Sequence, residues 1–203
     1  MQQIDPQQLS ERENYKFLIG SIIPRPIAFV TSISEQGVVN AAPFSFFNIV
    51  SSNPPMISVS IQRKNGAMKD TTRNIRSSKQ FVVHIVDEEN VAMVNETAAN
   101  LPPEESEINR TGFTLVDSTK IDVPGVREAK VRLECELNTA LELGGEGENP
   151  GCDLIIANVK YYHIEESIYE DGRIDPLALA AISRLAGNDY AKIGEQFTME
   201  RPL

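Results

Sequence analysis

Between residues 27 and 62, three short apolar segments rich in β-branched residues are separated by turn signals. This spacing constrains the chain to antiparallel strands. Ile27 to Ile33 reads as a strand, Glu35-Gln36-Gly37 as a turn, and Val38 onward as the returning strand of a hairpin. Pro54-Pro55 ends that second segment, because proline has no N–H to give to a ladder, and Met56 to Gln62 alternates as a third strand. Further on, Gln80 to Val86, Lys130 to Leu143 and Cys152 to Ile164 continue the pattern, with Val131, Leu133, Cys135 and Leu137 on one side. The last two flank a glycine-rich turn and are able to pair as a hairpin.

Helical signals are confined to the gaps. Met68 to Ser77 is polar, with Asp70 and Thr71 near its start, and Asp87 to Asn100 reads as a second helix closed by Pro102-Pro103. Glu104 to Arg110 is a polar loop, and Leu177 to Leu185 is a short helical stretch. About six strands with two or three helices suggest a mainly β, closed or nearly closed antiparallel barrel with peripheral helices. A chain of 203 residues without internal repeat or linker fits one domain over 1–203.

Composition narrows the partners. A formal net charge of −10 argues against nucleic acid, which is held by clustered Lys and Arg. No apolar run approaches the roughly 20 residues that span a bilayer. The start, Met1-Gln2-Gln3-Ile4-Asp5-Pro6, has neither the basic nor the apolar stretch of a signal peptide, so the expectation is a cytoplasmic protein without a membrane partner. Cys135 and Cys152 are too few for a disulfide framework, and with only His84 and His163 a metal site has almost no ligands to draw on.

The hairpin itself is unusual. Thr31-Ser32 and Asn40-Ala41-Ala42-Pro43-Phe44-Ser45-Phe46-Phe47-Asn48 concentrate small and hydroxylic residues where packing alone would alternate large apolar with polar ones. Such residues suit a flat ligand, with amides and hydroxyls on the ring edge and Ala and Phe on its faces, or else they satisfy local turns. Arg63 followed by Lys69-Asp70-Thr71-Thr72 is either an anion site at a helix start or an ordinary capped helix; taken alone it reads as the latter. Gly144 to Gly151 precedes a strand and carries two glutamates, which excludes a dinucleotide loop. Cys135 reads as a small core residue and Glu104-Glu105-Ser106-Glu107 as a solvated loop.

Several motifs stand together at a family's spacing: Pro24-Arg25-Pro26-Ile27-Ala28, Asn40 to Asn48, Pro54-Pro55, and Lys69-Asp70-Thr71 with Asn74-Ile75. His163, Gly172-Arg173-Ile174-Asp175, Arg184-Leu185-Ala186-Gly187 with Tyr190, and Arg201-Pro202 extend the match over nearly the whole chain. The sequence thereby resembles the flavin-reductase-like FMN-binding split-barrel proteins, in particular the flavoredoxin-like branch. Ala186 stands where that family often has a second glycine.

The resemblance implies a Greek-key split β-barrel with FMN along the hairpin. Thr31, Ser32, Asn40, Ala41, Ala42, Ser45, Phe46 and Asn48 would surround the ring and ribityl chain, and Arg63, Lys69, Asp70 and Thr71 the phosphate. His163, Arg184 and Tyr190 would shape the nicotinamide side, with no residue assigned as catalytic, because hydride transfer between two cofactors needs no protein nucleophile. One reading is an NAD(P)H:flavin oxidoreductase, using NADH or NADPH and handing electrons to a monooxygenase or another partner. The alternative is an electron carrier with tightly held FMN reduced by a partner protein. The resemblance also implies an obligate homodimer, in which a second subunit covers the flavin groove and the apolar run Phe44 to Asn48.

Overall fold

The computed structural model describes residues 1–99 and 101–202. It opens with α1 (Glu11–Ser21), a helix fixed by a capping box in which the Ser10 hydroxyl accepts from Glu13 N while the Glu13 carboxylate accepts from Ser10 N. A short strand β1 (Arg25–Pro26) leads into β2 (Ala28–Ile33), β3 (Val39–Phe44), β4 (Phe47–Ser52) and β5 (Pro55–Gln62). Next come α2 (Asp70–Ser78), β6 (Gln80–Ile85) and α3 (Val91–Glu96), then the small pair β7 (Leu115–Val116) and β8 (Gly125–Val126). The long strands β9 (Val131–Leu143) and β10 (Cys152–Ile164) follow. The C-terminal part adds β11 (Tyr169–Glu170), β12 (Arg173–Ile174), α4 (Pro176–Leu179), β13 (Ser183–Arg184) and β14 (Tyr190–Ala191).

Seven strands form one antiparallel sheet in the order β3-β2-β6-β9-β10-β5-β4. Its two edge strands, β3 and β4, are consecutive in the chain and joined only by Ser45 and Phe46. A sheet whose edges are tied by two residues must curl until those edges approach, which makes this one a barrel. Val30, Val59, Ile61, Phe81, Val83, Cys135, Ile155 and Ala157 fill its interior, supplied by alternate positions of the strands. Burial pushes the Cys135 thiol pKa up, as expected of a core residue.

β2 is buried on both faces. Opposite the barrel interior, Phe29 stacks on Phe113 with ring centroids 5.0 Å apart, within a second cluster that includes Ile27, Val94, Val126 and Ile182. Beneath it, the buried His84 donates Nδ1–H to Phe29 O and accepts from Val126 N at Nε2, which fixes a neutral ring. In the turn between β9 and β10, Gly145 has φ +82°, and a Cβ there would stand 1.9 Å from Asn149 O. Only glycine fits.

Three local expectations are corrected. The segment after Val38 is two strands with a break at Ser45-Phe46, where the chain crosses from one sheet edge to the other. The helix expected over Asp87–Asn100 spans only Val91–Glu96, because Asp87 turns the chain by accepting from Glu89 N and Asn90 N; Asn100 lies outside the described residues. The stretch Leu177–Leu185 is helical only to Leu179, since Ala180 adopts φ 51° and Ser183–Arg184 is a strand. α1 had no counterpart in the sequence reading.

Candidate functional site

Two clefts lie at opposite ends of β3. At the first, β2 and β3 face α2 through a buried polar cluster: Asn40 Nδ2 donates to Thr71 Oγ1 at 2.8 Å, and Asn74 Nδ2 donates to Ser32 Oγ at 3.2 Å. The adjoining cleft, of about 300 Å³, is lined by Ser34, Asn40, Asp70, Arg73, Asn74 and Ser77. Thr31 belongs to the opposite face of β2, where its hydroxyl donates to Pro124 O.

The start of α2 is built differently from that of α1. Lys69 occupies the N-cap position with no side-chain cap bond, so the first-turn amides lack a capping side chain. Thr72 Oγ1, fully buried in that turn, has no partner among the described residues. The Lys69 ammonium stands 5.8 Å from the Phe44 ring centroid, and Asp70 is paired with Arg73, which offsets its charge. Open helical amides, a threonine hydroxyl and a lysine form a donor set that fits a phosphate, and the neighbouring amide side chains fit a polar chain leading to it.

The outer edge of β3 is closed by the loop before Ile108. Ser106 Oγ donates to Val39 O at 2.5 Å, and Ala41 N donates to Glu107 Oε2 at 2.9 Å. The backbone amide of Ala41, a residue expected beside the ring or ribityl chain, is therefore occupied within the chain. Glu107 is itself buried, which corrects the reading of Glu104–Glu107 as a wholly solvated loop, and burial raises its pKa. Ala42 packs half-buried against the barrel interior.

The second cleft, of about 360 Å³, gathers Tyr15, Arg25, Ser45, Asn95, Arg184 and Tyr190. Arg25, between two prolines, donates from Nη1 to Ile19 O and Ile22 O and from Nη2 to Leu185 O, tying α1 to the segment after β13. The Arg184 guanidinium lies 4.4 Å from the Tyr190 ring centroid and donates to Gly187 O, while Tyr190 OH donates to Asn95 Oδ1. The positive φ of this turn falls on Gly187, so the methyl of Ala186 costs no strain.

His163 lies apart from Arg184 and Tyr190. It pairs at Nε2 with Glu134 Oε1 over 2.6 Å, and the fully buried Glu134 also accepts from Thr119 N and Lys120 N. Burial pushes the Glu134 pKa up, yet these donors together hold it below the usual carboxylate value. Arg63 also separates from Lys69, Asp70 and Thr71. It makes a forked pair with the fully buried Asp153 at 2.9 and 2.7 Å and reaches Glu142 at 3.2 Å. Glu142 in turn pairs with Arg76, in the last turn of α2. The buried Asp153 carboxylate accounts for this placement, since an ionised group without water needs a cation.

Phe46 O accepts from Ser60 N, continuing the β4–β5 ladder by one pair, and Asn48 lies exposed beside an apolar cleft of about 520 Å³ with Phe47, Met56, Leu133 and Tyr162 on its walls. Phe44 is buried and Phe46 and Phe47 are half-covered within the chain, contrary to the expectation of a bare aromatic run. In this stretch the uncovered apolar residues are the two after Asn48, Ile49 at 77% and Val50 at 48% exposure. Glu134, Glu107 and the role of Arg25 had no signal in the sequence, because their partners stand far along the chain.

Comparison with known proteins gives consistent matches. The family described as Flavin reductase like domain matches residues 19–181. An uncharacterised protein of Halalkalibacterium halodurans is 48% identical over 200 residues, covering 98% of this chain and 96% of its own. The crystal structure of nitrilotriacetate monooxygenase component B from Bacillus cereus is 56% identical with a TM-score of 0.97, covering 98% of both chains. A Shewanella frigidimarina structure with a split barrel domain has a TM-score of 0.83 at 19% identity, covering 97% of this chain and 96% of that one, a likeness of fold alone. Among the described residues no helix is long and apolar enough to cross a membrane.

Proposed function

The chain belongs to the flavin reductase-like family, and from that premise we propose that residues 1–203 form one FMN-binding domain that oxidises NADH or NADPH through its flavin. The observation that carries the reading is the start of α2, whose first turn has no capping side chain, where Lys69 stands at the N-cap and Thr71 joins the polar side chains of Asn40, Ser32 and Asn74. Thr71 and Lys69 would hold the phosphate there, and the amide and hydroxyl side chains between α2 and the hairpin would hold the chain that links it to the ring. Flavin bound in this way supplies hydride and single-electron chemistry. The protein's part is to fix the cofactor and the nicotinamide in register and to keep water out.

Arg63 drops out of the phosphate shell in this reading, since Asp153 and Glu142 claim its guanidinium. Arg184 and Tyr190 stay on the nicotinamide side, beside Ser45, while His163 is an orienting partner of Glu134 rather than a wall of that cleft. The likeness to a monooxygenase component supports a monooxygenase as electron acceptor, and the cytoplasmic location expected from the sequence is kept as part of the proposal. A homodimer covering Ile49 and Val50 completes the proposal. Sedimentation of an Ile49→Asp variant checks it: monomers are expected where the parent chain sediments as a dimer.

Anaerobic rapid mixing of the FMN-loaded protein with NADH and with NADPH, followed at the flavin absorbance, tests the reaction. Bleaching within turnover time is expected with at least one of them. Bound FMN that neither nicotinamide reduces would turn the reading into that of an electron carrier.

A further inference from the structure

The second cleft holds two arginines in a chain whose formal net charge is −10. Arg63, Arg73, Arg76 and Arg110 each have a carboxylate partner, whereas Arg12, Arg127, Arg132 and Arg173 have none among the described residues but do not share a cleft with a second unpaired arginine. Arg25 and Arg184 make no ion pair among the described residues, and no aspartate or glutamate lines the cleft between them.

Both side chains are held in place without being neutralised. Arg25 is 6% exposed, gives three bonds to backbone carbonyls, and keeps a buried Nε with no partner among the described residues. Carbonyl oxygens accept hydrogen bonds but bring only partial charge, so the guanidinium remains a net cation in a partly desolvated setting. Its pKa is lowered from the ordinary arginine value, first by burial and also by the neighbouring Arg184. Arg184 is braced by the Tyr190 ring and the Gly187 carbonyl, which pre-pays its ordering. Two like charges kept close without a carboxylate raise the energy of the empty cleft, and an oxyanion would lower it. Ser45, Asn95 and Asn188 add neutral polar groups, and Tyr15 and Phe44 add aromatic walls.

We propose that the cleft between Arg25 and Arg184 binds an oxyanion, the phosphate or carboxylate of the substrate that meets the cofactor beside Ser45. The oxyanion site stands on its own geometry; that its ligand is a reaction partner of the flavin rests on the function proposed above. In that reading the FMN phosphate belongs at the other end of β3.

The test is titration of FMN-loaded protein with pyrophosphate and with benzoate at fixed ionic strength, read by calorimetry and thermal shift, for the parent chain, Arg184→Gln and Asn188→Asp. Binding of at least one anion is expected, weakened about tenfold or more by R184Q through loss of a charge-assisted pair. Asn188→Asp, an exposed change that puts a carboxylate at the rim, also weakens it, which keeps the test open if R184Q fails to fold. FMN affinity stays unchanged in both variants. Pyrophosphate binding that NADH or NADPH displaces assigns the anion to a dinucleotide, and benzoate binding alone assigns it to a carboxylate-bearing acceptor. Absence of binding by either anion, equal binding in all three proteins, or release of FMN by R184Q would overturn the proposal. Anion binding without any nicotinamide oxidation would contradict the proposed reaction and leave the oxyanion site standing.

Discussion

The two ends of β3 are both polar, yet they handle charge in opposite ways. At the α2 end, Asp70 is paired with Arg73, the Glu35 carboxylate accepts from Ser77 Oγ, and the buried Asn40, Thr71, Ser32 and Asn74 bond among themselves. At the far end, Arg25 and Arg184 have carbonyls and a tyrosine ring for company but no carboxylate. A cluster satisfied internally gives shape and donors, whereas an unneutralised pair gives field. The first end suits a cofactor whose position is fixed by many neutral contacts and one phosphate. The second suits a ligand that comes and goes and is drawn by charge.

Arg25 is where the contrast is most costly to disturb. Arg25→Met strands three buried or half-buried carbonyls that tie α1 to the segment after β13, and should cost about 3 to 5 kcal/mol in urea unfolding. A cost under about 1 kcal/mol would mean that those bonds are not what holds this end together.

Acid separates both clefts from the barrel beneath them. His84 titrates near 6.5 in an unfolded chain, but burial, foremost, pushes it down to about 3 in the fold. Above about pH 6.5 both states are neutral and the full stability is present. As pH falls toward 3, the unfolded chain takes up a proton that the folded one refuses, a loss of about 2.5 kcal/mol by pH 4.5 from this residue. Unfolding measured from pH 7 to 4.5 should show that slope, and His84→Gln should flatten it while lowering stability throughout.

Smaller effects sharpen the phosphate end. Lys69→Ala should weaken FMN binding by about 2 kcal/mol and Thr71→Val by about 1 kcal/mol, read by flavin fluorescence quenching. Since Arg63 is committed to Asp153, Arg63→Met should lower stability without a comparable loss of FMN affinity. A drop in affinity that exceeds the Lys69 effect would return Arg63 to the cofactor.

How much of this could be read in the sequence depended on the range of the interaction. Strands announced themselves through period-two burial: Cys152–Ile164 carries its ends where alternation put them, and Met56–Gln62 differs by one residue. Helix ends were less legible. Asp87 competes with the helix through its own side chain, and Ala180 takes a left-handed backbone that nothing local announces. The start of α1 is legible in the sequence as the Ser10-x-x-Glu13 capping box. Site residues followed the same rule. Lys69, Asp70 and Thr71 fall together because a helix start brings neighbours together, whereas Arg25 meets Leu185 across 160 residues and Glu107 meets Ala41 across 66. Arg63 looked free only because Asp153 stands 90 residues away.

A crystal structure of the FMN-loaded protein tests the central assignment most directly. The phosphate is expected at the start of α2, within hydrogen-bond distance of Thr71 and the first-turn amides, with the space between Arg25 and Arg184 left to another ligand. A phosphate seated between Arg25 and Arg184 would contradict the account, reversing the roles assigned to the two ends of β3.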